Sequence, residues 1–139
     1  MKKLLLSLFF VFGLGISLHA EPAVPPYDWD IVLVGSDQYY VEHPESSPRG
    51  YEWTEGKNRT DGDHSGFIRF YVLVKGGYYY NTYVKWDGSV LTPTNVEYDD
   101  TNGDTIIDVW LLEFEKSYAT EGSIEVTYGG TTKDYIYVQ

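Results

Sequence analysis

Apolar and polar residues alternate along much of this chain, and they do so at the period of a strand. Ile68, Phe70, Val72 and Val74 share one parity, while Phe67, Arg69, Tyr71, Leu73 and Lys75 share the other. That pattern predicts a strand with one buried face and one partly wet face. Gly76-Gly77 follows, and because both positions tolerate positive φ it predicts a tight hairpin into a return strand over 78–86. Asp87-Gly88 turns the chain again, before a short strand at Val90 and Leu91 that stops at Pro93. Further on, Ile124, Val126 and Tyr128 alternate with Glu125 and Thr127, and Gly129-Gly130 predicts a second hairpin into a last strand over 135–138.

Two segments are apolar without alternating. Ile31, Val32, Leu33 and Val34, ended by Gly35, predict a buried first strand. The run over 106–114 is apolar on both parities. Its Trp, Ile, Val and Phe favour a strand over a helix, and no three-four spacing leaves a polar helical face, so a central strand is expected. Between these, 39–41 reads as a brief edge strand before Pro44. The polar stretch 42–66 reads as a long loop with short pairing around Tyr51 and Trp53, since long structureless loops are uncommon in compact domains.

Seven or eight strands with close-set turns and no convincing helix predict an all-β fold, an antiparallel β-sandwich. In architecture alone it resembles immunoglobulin and fibronectin type III domains, with a small barrel as the alternative. The chain has no cysteine, so no inter-sheet disulfide is available, and Trp86 or Trp110 is expected in the core position a sandwich gives to tryptophan.

The amino terminus changes the picture of where this fold works. Lys2 and Lys3 precede an uncharged stretch from Leu4 to Leu18, and Ala20 offers a small residue for cleavage, so residues 1–20 read as a signal peptide. Residues 21–139 then form a single domain, opening with a proline-rich leader, and the expected location is secreted, periplasmic or cell envelope. All twenty-one acidic residues follow position 20, so the remaining chain is more acidic than the overall net charge of −11. Such a surface repels phosphates and anionic headgroups, which argues against nucleic acid and against membrane insertion after cleavage.

Candidate chemistry is sparse. In YDDTNGDTIIDVW, Asp100, Asn102, Asp104, Ile106 and Asp108 fall at the alternate positions of a calcium loop, Ile106 through its carbonyl. Thr105 replaces the glycine of such loops and Leu111 replaces the terminal glutamate. The competing reading is a solvated turn whose side chains bond to nearby N–H groups. Asp61, Asp63 and His64, near Asn58, form a fainter metal edge, and Asn58-Arg59-Thr60 matches a glycosylation acceptor. Fourteen tyrosines invite a binding surface, with Tyr79, Tyr83, Trp53 and Trp86 as the ligand-binding candidates, against cross-strand packing as the simpler role.

No nucleophile elbow, histidine-acid pairing or HExxH motif stands out. The only enzyme reading is a small hydrolase with paired carboxylates such as Glu113 and Glu125. The leading expectation is therefore an exported noncatalytic module acting through protein contacts and stabilised by calcium. A polysaccharide-binding module is the first alternative.

Overall fold

The computed structural model describes residues 23–139. The segment read as a signal peptide, residues 1–20, lies outside the described residues. Nine strands and one short helix follow in chain order. They are β1 (Asp28–Ser36), α1 (Asp37–Glu42), β2 (Tyr51–Trp53), β3 (Gly66–Lys75), β4 (Thr82–Trp86), β5 (Ser89–Leu91), β6 (Asn95–Asp99), β7 (Val109–Ala119), β8 (Gly122–Tyr128) and β9 (Thr131–Val138).

The strands form two antiparallel sheets. Sheet A has the order β2-β1-β3-β7-β6 and sheet B the order β5-β4-β8-β9. Their inner faces supply one core: Ile31 and Val34 from β1, Ile68 to Val74 at alternate positions of β3, Leu112 and Phe114 from β7, Val84 and Trp86 from β4, Ile124 and Val126 from β8, and Ile136 and Val138 from β9. The period of two read from β3 and β8 is thus the period of the core. Each such side chain contributes about 1.5–3 kcal/mol by leaving water, which replaces the missing disulfide with packing. The architecture is a two-sheet antiparallel sandwich, and two sheets alone carry no kinship with immunoglobulin or fibronectin domains.

Several local expectations change. Gly76-Gly77 is not a hairpin turn, because β3 and β4 lie in different sheets. The glycines answer a close approach by the leader. Gly76 has φ +148 and a Cβ there would stand 2.7 Å from the Pro26 Cα, while the Gly77 N–H donates to the Val24 carbonyl at 2.6 Å. The return strand accordingly begins at Thr82, after Asn81 at φ 66, so the alternation projected onto Tyr78, Tyr79 and Tyr80 does not apply. Asp87-Gly88 and Gly129-Gly130, in contrast, do join paired strands, and all four residues have positive φ.

The expected edge strand at 39–41 is instead the helix α1. Ser36 caps it, its Oγ accepting the Tyr39 N–H at 3.0 Å, and Asp37 sits in the first turn where the helix dipole favours an acid. The central strand expected over 106–114 starts later, at Val109, since Thr105 has φ 67 and Asp108 turns back to Thr101. β6, Asn95–Asp99, alternates polar and apolar residues over only five positions and has no counterpart among the strands expected from the sequence.

Candidate functional site

The outer face of sheet A is divided in two. Toward one end, Arg69 and Tyr71 of β3 stand opposite Glu115 and Glu113 of β7. The Arg69 Nη2 is 2.9 Å from Glu115, its Nε is 3.2 Å from Glu113, and the Tyr71 hydroxyl donates to Glu113 at 2.9 Å. Burial pushes the Tyr71 hydroxyl up, and the neighbouring Tyr51 and Glu113 add to the rise. This half is closed by its own polar pairs.

The other half is open and apolar. A groove of about 310 Å³ crosses it, lined by Val32, Leu73, Val109 and Leu111 on the floor and by Trp53, Glu55, Glu97, Tyr98, Asp99 and Thr101 around it. The register explains the composition. Glu97 pairs with Leu111 and Asp99 with Val109, so these four share the outer face, and Leu73 stands opposite Leu111. Val32 reaches the groove because a bulge between Ile31 and Leu33 shifts the register of β1. Every strand of the sheet contributes, with Trp53 at the β2 edge and Glu97 and Asp99 at the β6 edge. Trp53 is 48% exposed and its indole N–H is held by the Ser47 carbonyl at 2.8 Å.

The wall carrying Trp53 is fixed from behind by a buried polar chain. Alternation along β2 sends Glu52 inward while Trp53 faces out. His64 is buried; its Nε2 lies 3.1 Å from Glu52 Oε1 and its Nδ1 lies 3.0 Å from Ser36 Oγ. Glu52 also accepts the backbone N–H groups of Asp61 and Gly62 and the Lys57 ammonium at 3.3 Å. Burial pushes the Glu52 carboxyl up, but the bonds from His64, Asp61, Gly62 and Lys57 outweigh it and hold the group down at about 2. An ionised carboxylate only accepts, so His64 Nε2 is the donor to Glu52, and the Ser36 Oγ that meets Nδ1 also accepts the Tyr39 N–H. Tyr39 stacks on His64 with ring centroids 4.8 Å apart. Thr54 completes the attachment, its hydroxyl donating to the Ile31 carbonyl at 2.7 Å.

This Ser36–His64–Glu52 chain escaped the sequence because its members come from β1, β2 and a loop. The only signal is an acid at the inward parity of YEW. All three residues are buried, and the Ser36 Oγ both caps α1 and meets His64, so the chain ties β2 and the loop over 57–64 to the start of α1.

The predicted site residues separate. Trp86 is 5% exposed and belongs to the core, which corrects its place among the ligand-facing residues. Tyr79 packs against the core with Trp110 edge-on at 5.1 Å. Tyr83 is 50% exposed, but it lies on the outer face of sheet B, away from Trp53. Tyr80, 69% exposed, stacks on Tyr78 at 5.4 Å. Glu113 and Glu125 stand on the outer faces of opposite sheets and share no cleft.

At the acidic turn the side chains bond to local N–H groups. Asp100 accepts from Gly103 at 2.8 Å, from Asp104 at 3.2 Å and from Thr105; Asn102 accepts from Asp104 at 3.1 Å, and Asp104 from Ile106 at 2.9 Å. Asp108 accepts both the N–H and the hydroxyl of Thr101. Slight burial pushes the Asp100 carboxyl up, and the N–H bonds from Thr105, Asp104 and Gly103 prevail and hold it below its ordinary value. Among the described residues, no group of three His, Cys, Asp or Glu side chains converges as metal ligands. Asp61 is drawn to Lys57 at 2.7 Å while His64 points into the interior, so the fainter metal edge does not assemble either. Among the described residues, no helix is long and apolar enough to cross a membrane.

Comparison with known proteins finds no matching family model, no matching curated protein and no matching solved structure.

Proposed function

We propose that this chain is an exported noncatalytic module that binds a protein partner through the outer groove of sheet A. The observation that carries the reading is the aliphatic floor of Val32, Leu73, Val109 and Leu111, left open between two edge strands. An apolar groove with a charged rim is how a protein surface seats the side chains of another polypeptide. A sugar, by comparison, needs several polar groups converging on its hydroxyls, and the floor supplies none. Tyr80, exposed and stacked on the half-buried Tyr78, is what supports the polysaccharide alternative.

Leu111→Arg tests the two together. It fills the groove from the outer face without touching the core, so the expected result is an unchanged far-UV spectrum with loss of a protein captured by the native chain. Capture that survives Leu111→Arg but is lost in Tyr80→Ala, with polysaccharide as the retained species, overturns the protein reading in favour of the sugar.

Calcium stabilisation of the Asp100 loop belongs to the proposal as a separate element. Ligation there exchanges the N–H bonds of Gly103, Asp104 and Thr105 for calcium–oxygen bonds. Its signature is a thermal midpoint that rises in millimolar calcium and falls with chelator, because a ligand that binds only the folded state stabilises it by mass action. An unchanged midpoint removes calcium from the proposal.

A further inference from the structure

We infer that the occupant of the groove is an extended segment of a partner protein, laid across the strands, with aliphatic side chains on the floor and a lysine or arginine at each end. The inference rests on the protein-contact reading and adds the chemistry of what is bound.

The length follows from the sheet order. The groove is lined from β2 at one edge to β6 at the other, four inter-strand steps and so about 19 Å, which an extended chain at about 3.3 Å per residue covers with roughly six residues. The chemistry of the middle follows from the floor, where Val32, Leu73, Val109 and Leu111 offer dispersion contact and no hydrogen bond.

The chemistry of the ends follows from charge. Glu55 stands at the β2 end, Glu97 and Asp99 at the β6 end. Among the described residues, the lysines and arginines that form ion pairs are spent elsewhere: Lys57 on Glu52 and Asp61, Arg69 on Glu113 and Glu115, Lys75 on Asp28. None of them pairs with the three rim acids. The Asp99 carboxylate accepts the Asp100 N–H at 2.8 Å, and the Glu97 carboxylate accepts from the Asn95 amide at 3.1 Å. The groove therefore has an apolar centre between two uncompensated negative ends. A second copy of this acidic chain would bring like charge to the rim, and anionic lipid or nucleic acid would do the same.

The experiment uses the full chain and three labelled octapeptides read by fluorescence anisotropy. One has lysine at both ends around alternating leucine and threonine. The second replaces the lysines by glutamate, and the third replaces the leucines by serine. The first is expected to bind saturably, and each of the others at least about tenfold more weakly. Glu55→Gln/Glu97→Gln/Asp99→Asn keeps the local acceptors while removing the charge. It is expected to weaken the lysine peptide about tenfold and to flatten its dependence on salt.

Equal binding of the lysine and glutamate peptides, or an unchanged affinity in the triple variant, overturns the cationic occupant. If no peptide binds while Leu111→Arg still abolishes capture, the segment chemistry fails and the protein-contact reading stands. If capture is also indifferent to Leu111→Arg, both fail.

Discussion

Glu52→Gln is expected to destabilise the fold by about 3 kcal/mol at neutral pH, a large share of the stability of a single domain. Glu52 is buried and held at about 2 against an ordinary value of 4.5, so its ionised form is stabilised by the four donors that converge on it. Glutamine keeps one acceptor oxygen but turns an amide N–H₂ toward donors from Asp61, Gly62 or Lys57, leaving buried groups unsatisfied.

The pH dependence has a definite sign. A carboxyl whose folded value is depressed contributes stability that is fully present above 4.5 and is lost as pH falls from there toward 2. Urea denaturation of the native chain and of Glu52→Gln should therefore give curves that are separated at pH 7 and converge through that window. Parallel curves would show that Glu52 is not the group being titrated. The effect reaches the groove as well, because Glu52 precedes Trp53 on β2 and the same network that holds the loop over 57–64 holds the wall carrying Trp53 and Glu55.

Trp86→Ala carries the second large effect, an expected loss of about 3–5 kcal/mol. The indole is buried between the sheets, with Phe70 at 6.4 Å between ring centroids, and its residue pairs with Ile124 across the β4–β8 register. Alanine leaves a cavity that the surrounding β-branched side chains fill only in part. Measured at a temperature where the variant remains folded, peptide binding at the outer groove should be unaffected. A small stability loss joined to a large binding loss would instead return Trp86 to the ligand-facing role its sequence position first offered.

The contrast between Trp86 and Trp53 shows what was legible. Alternation within a strand is a local property, so β3, β8 and the hairpin at Gly129-Gly130 could be read directly, and with them the two-layer β architecture. Which side of a sheet faces the core is not local where the parity breaks. Residues 78–81 leave the strand, and the bulge in β1 redirects Val32. Gly76-Gly77 carried a true signal, the need for bare backbone, whose cause was the approach of Pro26 and Val24 instead of a hairpin.

The site was less legible still. His64 was visible as a loop histidine, but its partners Ser36 and Glu52 lie 28 and 12 residues away on two strands. The groove assembles one to three residues from each of five strands, and no segment of sequence contains it. At Asp100 the sequence pattern and the turn geometry both use alternate oxygens, since an Asx turn and a calcium loop draw on the same residues.

Amide hydrogen exchange of the full chain, with and without the protein it captures, tests the central claim most directly. Slowed exchange in Tyr51–Trp53, in Asn95–Asp99 and in the amides beside Leu111 is the predicted footprint, because these border the groove on sheet A. A footprint confined to sheet B, around Tyr83 and Tyr135, would contradict it.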